Sequence, residues 1–580
     1  ALAAPGVGGQ LVIVTAERRL EPGERLRLVY GAGEGLAQAD TYAEEGSPFW
    51  FAVDGDGDGV RGLVPDPPRV DILAGPAARL QVFLPAVARP GETVRATASL
   101  LDRGGNAGVA FEGELLFAGD TRWPVTPERV DLPADAGGVA SFSFTLPEGA
   151  PEGILRLGAG AVSTDPENRP RDGRLLTLSN PMLVSRDAPR VLWADLHGHT
   201  HLSDGTGTPE GFYDYAKRVA RLDVVALTDH DHWGLEFLDQ HPELWERIAA
   251  AARAAHEPGV FSALLAYEWT SWLHGHRHVV LFDEADPAGL PVLSSLDPHH
   301  DDPDELWSAL RGEPVLTFAH HSAGGPVATN WSFPPDPVLE PVTEIASVHG
   351  SSEAWDSPGM IYSPVKGNFV RDVLDLGHRL GFIGSGDSHD GHPGLAHLVS
   401  PSGGLAGVLA EENEPEELLA SLRARACYAT NGPRIVVDAR LVVDGPAGDG
   451  GRSLQGVSSF LMGAEVPVSV LDEAARLEVL IAGTEELERL EVVRSGEVVR
   501  YLDAAILAGP RAPVDSVEPG DLGDPGSPTP TEPPAGTPDF AALFTLAELG
   551  LDDLQPGEYA YLRVRQAHRG LAWTSPWFVK

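Results

Sequence analysis

Asp195-Leu196-His197-Gly198-His199-Thr200-His201-Leu202-Ser203-Asp204-Gly205 is the stretch on which the reading of this chain turns. Val191 to Leu196, which leads into it, is apolar and extended, the pattern of a buried strand. His197 and His199 stand at i and i+2 on an extended segment, so their rings point the same way and can reach one ion. Asp204 follows on the loop with a carboxylate.

Working outward, the same texture recurs. Thr208-Pro209-Glu210 reads as an N-cap with proline in the first helical turn, and Phe212, Tyr215, Ala216, Val219 and Ala220 follow on one helical face. Asp223–Leu227 is the next buried strand and ends in Thr228-Asp229-His230-Asp231-His232. Ser262–Tyr267 leads to Glu268-Trp269, Gly275-His276-Arg277-His278 precedes another apolar run, and Val315–Phe318 leads to Ala319-His320-His321. Thr343–Val348 and Gly381–Gly384 follow, the latter before Ser385-Gly386-Asp387-Ser388-His389. This alternation of strands and helices predicts a barrel or an open parallel sheet, with the polar clusters at the C-terminal ends of its strands, where such folds build sites.

Residues 191–400 hold 19 of the 20 histidines. Taken singly, a His-x-His or Asp-x-His is an ordinary feature of a strand end. Five clusters, each at such an end, point to a site. Mixed His, Asp and Glu donors without sulfur suit Zn, Mn or Fe, and more than four donors imply more than one ion.

The rest of the chain has β texture. Residues 1–75 read as an N-terminal β domain, 76–189 as an Ig-like β-sandwich, 190–435 as the α/β region, and 436–580 as a C-terminal β-sandwich. Short β-rich runs such as Arg79–Leu84 and Ser141–Leu146, bounded by turn formers, carry that reading. Residues 509–538, rich in Pro, Gly, Asp and Thr, read as a disordered insertion. Val53-Asp54-Gly55-Asp56-Gly57-Asp58-Gly59 has the start of a calcium loop, but the twelfth position is Pro65 in place of the bidentate Glu.

With 42 basic against 85 acidic residues and a formal charge of −43, a nucleic-acid partner is excluded as a working reading. The single cysteine, Cys427, rules out an intrachain disulfide framework and a thiolate zinc site. No apolar stretch is long enough for a transmembrane segment. Ala1–Ala4 is compatible with the remnant of a cleaved leader or with an arbitrary start.

Tyr267-Glu268-Trp269-Thr270-Ser271, His349-Gly350-Ser351-Ser352-Glu353, Gly386-Asp387-Ser388-His389 and Cys427-Tyr428-Ala429-Thr430-Asn431-Gly432-Pro433-Arg434, added to the clusters above, carry a resemblance. The chain resembles the polymerase-and-histidinol-phosphatase (PHP) superfamily of metallohydrolases. Within it, the match is to a bacterial subgroup with flanking β domains, related to PHP proteins of the carbaryl-hydrolase type. The resemblance covers about residues 190–440 strongly, the C-terminal part weakly, and the first 180 residues hardly at all.

The resemblance implies a distorted (β/α)7 PHP barrel, flanked here by N- and C-terminal β-sandwiches, with two or three divalent ions (Zn, Mn or Fe). It places His197 and His199 on a first metal with Glu268 and Asp387. Glu268 would bridge to a second metal held by His276 and His320, and Asp204, His230 and His389 would hold a third. A bridging hydroxide would attack phosphorus or a carbonyl carbon, with Glu268, Asp387, His320 and Arg277 as the catalytic set. His276 is preferred over His278, and His320 over His321; the other member of each pair is then a substrate candidate, with Arg277, His349, Glu353 and Lys366. Asp195 and Asp229 are expected to orient imidazoles from behind.

The reaction expected is hydrolysis of a small-molecule ester, with a phosphoesterase first and a carbamate, amide or aryl-ester hydrolase second. An envelope binding protein with a degenerate barrel is the rival from another class, and it predicts a broken ligand set. The β domains suggest an extracytoplasmic setting, periplasmic, secreted or surface-attached.

Overall fold

The computed structural model describes residues 2–6, 9–13, 23–25, 27, 29, 31, 39–55, 57–119, 122–123, 125–164, 174–234, 236–283, 290–444, 452–454, 457–472, 474–507 and 538–580. The Pro-rich insertion expected at 509–538 lies, but for Pro538, outside them, as does Asp56 of the acidic turn. In that turn Gly57 and Gly59 donate backbone N–H groups to Asp54 at 2.6 and 3.1 Å, so this carboxylate is used by its own loop. Two compact units are present, residues 1–41 and 42–580. In the first, Leu2–Gly6 pairs antiparallel with Gly9–Ile13.

In the second unit, residues 79–184 form three small sheets. One runs Arg129–Leu132, Gly113–Ala118, Gly158–Ser163, Leu175–Leu178; another Val139–Thr145, Thr93–Leu101, Arg79–Phe83; the third Gly153–Leu155, Met182–Val184, Val87–Ala88. Strand Val139–Thr145 shows why they pack: Phe142 and Phe144 point inward while Ser141, Ser143 and Thr145 face water, a period of two. Their inward faces meet in a core that includes Leu80, Val94, Trp123 and Leu155.

The site is carried by one long sheet. Its order is Val315–Ala319, Arg277–Leu281, Ser262–Trp269, Val224–Leu227, Val191–Asp195, Leu405–Leu409, Cys427–Thr430, then Leu571–Thr574, Tyr559–Gln566, Leu487–Arg494 and Glu497–Asp503. Val342–Ser347 and Gly381–Gly384 pair in parallel in a separate small sheet. One apolar core runs from Phe83 and Val191 through Val436 to Val579, across the expected boundaries at 189/190 and 435/436.

This architecture overturns the expected (β/α)7 barrel with two flanking sandwiches. Among the described residues the long sheet does not close, and along the order given only Val191–Asp195, Val224–Leu227 and Ser262–Trp269 are neighbours in parallel; Glu465–Val466 and Trp577–Val579, which pair in parallel, join it off that path. Arg277–Leu281 pairs antiparallel on both sides, and Leu405–Leu409 pairs antiparallel with Val191–Asp195 and with Cys427–Thr430. The segment from Thr270 to His276 is too short for the crossover of about a dozen residues that parallel pairing needs, so it turns back as a hairpin. Of the C-terminal strands, Leu571–Thr574, Tyr559–Gln566, Leu487–Arg494 and Glu497–Asp503 continue this sheet, while Arg452–Leu454, Val457–Leu461, Val436–Asp444, Arg476–Ala482 and Asp539–Thr545 form a separate five-stranded sheet that shares its core. Among the described residues the structure is β-dominated, the longest helix being Pro242–Ala255.

The mixed directions still gather the polar clusters at one edge. The C-terminal ends of the three parallel strands lie there, and an antiparallel neighbour brings its N-terminal end, so Arg277 opposes both Trp269 and Ala319. A parallel bridge between Gly198 and Ser388 places the Asp387 segment alongside His197 and His199, and another joins His230 to Glu268.

Candidate metal centre

The edge holds a buried group of imidazoles and carboxylates. His197, His199, Glu268 and Asp387 are each no more than 1% exposed. His197 Nε2 lies 3.2 Å from His199 Nε2, 3.2 Å from Asp387 Oδ1 and 3.4 Å from Glu268 Oε2. His199 Nε2 is 3.4 Å from Glu268 Oε2 and 3.6 Å from Asp387 Oδ1. Four donors about 2.1 Å from one ion in a tetrahedral shell stand about 3.4 Å apart, so these distances match the edges of such a shell.

The other oxygen of Glu268 faces a second group. Oε1 lies 2.5 Å from His276 Nδ1, 3.1 Å from His320 Nε2 and 3.4 Å from His230 Nδ1. His276, His320 and His321 also present nitrogens close to one another. A third group centres on Asp204 Oδ1, with His389 Nε2 at 3.3 Å, His230 Nε2 at 3.6 Å and His199 Nδ1 at 3.9 Å. This group is the most open, with both Asp204 and His389 about one third exposed.

The donor set fits divalent metal on an observation independent of spacing. Glu268 Oε2, Asp387 Oδ2, both nitrogens of His276 and of His278, and one nitrogen each of His320 and His321 are buried without a hydrogen-bond partner. His276 Nδ1 sits near Glu268 Oε1 yet out of hydrogen-bonding alignment, as two donors facing a shared cation do. Orphaned buried polar atoms are costly, and so many at one place call for a ligand.

Electrostatics agree. Burial opposes ionisation of Glu268, but the imidazoles of His230, His320 and His276 outweigh it and hold the carboxyl well below its usual range. Asp387 behaves alike beside His197 and His349. Burial pushes His197 down to about 3, His230 and His321 to about 4, and His278 and His320 well below the usual imidazole range, so their lone pairs are free at neutral pH. His199 is the exception: burial lowers it, but the carboxylates of Asp387 and Glu268 beside it prevail and hold it well above the usual imidazole range.

Backbone conformation serves the cluster. Asp387 and His321 adopt positive φ of 51° and 35°, an uncommon conformation for side chains of this kind. At Gly386 a Cβ would come within 2.6 Å of Asp195 Oδ2, and its absence lets the Gly386 N–H donate to Asp195 Oδ1 at 2.7 Å. Asp195 and Asp229 do not touch an imidazole directly; Asp229 reaches His199 through Ser203, whose hydroxyl lies 3.3 Å from His199 Nδ1. Asp195 accepts from the backbones of Gly386 and Gly394, and Asp229 from the Thr200 backbone, Thr200 hydroxyl and Ser203 hydroxyl. Both brace the loops that bear the ligands.

Comparison with known proteins places these residues beside relatives whose own roles are open. Residues 234–324 and 394–441 match the model of a family described as "Protein of unknown function (DUF3604)". An "Uncharacterized protein" of Chlamydia pneumoniae is 23% identical, over 97% of this chain and 85% of that protein. One of Chlamydia trachomatis is 24% identical over 67% of this chain, which matches 57% of that relative's length. Among solved structures, a Paenibacillus cycloisomaltooligosaccharide glucanotransferase shares 11% identity at a TM-score of 0.21, covering 87% of this chain and 72% of that one. A Bacteroides uniformis β-glucuronidase shares 9% at 0.18, covering 88% and 65%. At such scores neither likeness bears on the fold.

The remaining predicted residues divide sharply. His278 lies deeper than His276, its ring 3.9 Å from that of His197, in a group with His320 and Glu344. The His321 ring lies 3.8 Å from that of His320, tilted by 56°, and His349 Nε2 reaches Asp387 Oδ2 at 2.9 Å from the mouth of the site. Lys366 is exposed on the loop after Tyr362. Arg277 is not brought to the cluster: strand alternation turns it to the face opposite His276 and His278, where Nε donates to Glu340 at 2.9 Å beside Trp307. Glu353 is not a pocket residue either. It is fully buried and accepts from Tyr561, Arg563, Trp573 and Ser357.

Three features escaped the sequence reading. Glu344 Oε2 stands 2.9 Å from His197 Nδ1, the position of a carboxylate that fixes a ligand imidazole from behind. Thr270 Oγ1 does the same for His230 Nδ1 at 2.7 Å. Trp233 and Trp272 are exposed beside His230 and His276.

Proposed function

We propose that this protein is a metal-dependent hydrolase of the PHP type, holding two or three Zn, Mn or Fe ions and cleaving a phosphoester. The observation that supports this most is Glu268. One of its oxygens faces His197 and His199, the other faces His276, His320 and His230, so Glu268 would help to hold an ion on each side. Ions held there would supply Lewis acidity and activate water for attack on an ester. The chain's own residues bind and orient: Glu344 fixes His197, Thr270 fixes His230, and Asp387 is shared between the first group and His349 at the mouth. The rival binding-protein reading expects gaps in the donor set, whereas Asp204, His389 and every other expected donor converge.

A second reading, hydrolysis of a carbamate, amide or aryl ester, is favoured by one observation. A phosphate dianion calls for cationic side chains, and Arg277 is committed to Glu340 inside the protein. Elemental analysis after reconstitution, run with phosphate esters, aryl esters and an aryl carbamate, tests both. Two or three ions per chain with turnover is the expected result, and H199A/D387A should abolish it. Less than about half an ion per chain and no turnover would overturn the hydrolase.

A further inference from the structure

We propose that Trp233 and Trp272 form a subsite for a flat apolar group, so that the ester cleaved carries an aromatic or similarly flat leaving group. The chemistry rests on the hydrolase reading, while the subsite rests on observations of its own. Both indoles are in water, 40% and 50% exposed, and neighbouring Leu273 is 82% exposed. Their rings are 5.2 Å apart and tilted by 44°, an open corner rather than a closed stack. Each is set beside one histidine of the cluster: Trp233 is 6.2 Å from His230, and Trp272 is 6.2 Å from His276. The two rings come from separate loops, one following His230 and one preceding His276.

Exposed large apolar side chains that adjoin one another beside a polar pocket mark ligand sites, since folding alone would bury them. Here the patch touches the two imidazoles that face Glu268 Oε1 and Asp204. A group stacked in the corner therefore has its attached bond next to those donors. Indole faces select flat, apolar rings. A sugar also stacks on indole, but its hydroxyls require polar partners, and two tryptophans and a leucine offer few.

The test uses the metal-loaded full chain, with 1-naphthol binding read by calorimetry and turnover of 1-naphthyl phosphate, 1-naphthyl acetate and their methyl counterparts read separately. Saturable 1-naphthol binding is expected, weakened at least about tenfold in W233A/W272A and largely kept in W272F, which retains a flat ring. Naphthyl over methyl preference in kcat/KM should shrink in the double variant. Circular dichroism of the variants should be unchanged, because both side chains are exposed. Absent naphthol binding, equal binding by wild type and W233A/W272A, or preferential binding of methyl glucoside overturns the subsite. Trp-dependent naphthol binding without any turnover keeps the subsite and sinks the hydrolase; turnover indifferent to both tryptophans does the reverse.

Discussion

Two buried ionic clusters lie on this one sheet, and they are built on opposite terms. Around Glu353 both carboxylate oxygens have donors: Tyr561 and Arg563 on one, Arg563, Trp573 and Ser357 on the other. Arg563 continues from Nε to Glu491, and none of these groups is left without a partner. Around Glu268 the same kind of burial leaves oxygens and imidazole nitrogens orphaned. A closed network needs nothing further and joins the C-terminal strands to the loop that carries His349. The open one keeps donors that no group among the described residues satisfies. Burial and charge alone would class the two together; the hydrogen-bond inventory separates them.

That contrast breaks first at Glu268. E268Q removes the shared carboxylate and should lower metal content to one ion or fewer, with turnover down by about a thousandfold or more. The fold should survive, since a neutral amide replaces a buried charge, and thermal melting of the metal-free protein checks it. If E268Q keeps both full metal content and rate, Glu268 bridges nothing.

The closed cluster should respond in the other currency. Arg563→Met leaves Glu353 and Glu491 buried without their cation and should destabilise the chain by about 3–5 kcal/mol. Adding E353Q and E491Q removes the stranded charges and should restore part of the loss. Metal content per folded chain should stay unchanged throughout, as judged by chemical denaturation and elemental analysis on the same samples. A drop in metal affinity as large as that in E268Q would show that the two clusters are one.

How much of this the sequence carried depends on the distance over which each residue acts. Ser262–Tyr267 was readable as a buried strand because Ala263 to Ala266 is an unbroken apolar run, and the strand runs from Ser262 to Trp269 with Glu268 near its end. His-x-His at 197 and 199 was readable for the same local reason. Strand direction was not read, although seven residues between Trp269 and Arg277 leave no room for a helical crossover, and with it the barrel was misjudged. Arg277 between two histidines looked like part of their chemistry, but alternation puts it on the other face. Glu353 follows His349 closely and so resembled a pocket residue, while its partners stand 208 to 220 positions away. Glu344 lay inside an apolar run with nothing local to mark it, and its partner His197 is 147 positions away.

Glu344 gives the smallest and sharpest test of what holds the open cluster. Burial, then the charges of Asp387, Asp195 and Glu268, push its carboxyl well above the usual range. An acid whose folded pKa is raised binds its proton more tightly in the native state. Its contribution to stability is therefore present at low pH and lost as pH rises through the folded value. E344Q, which cannot ionise, escapes that loss, so in metal-free protein its melting temperature should gain on wild type as pH is raised. Metal loading should do the opposite. The ions favour the ionised carboxylate behind His197, so E344Q should bind metal about ten- to a hundredfold more weakly. It should also release about one proton fewer per chain on loading, read by calorimetry in buffers of different ionisation enthalpy. Equal affinity and equal proton release in the two proteins would mean that Glu344 merely fills space behind the imidazole.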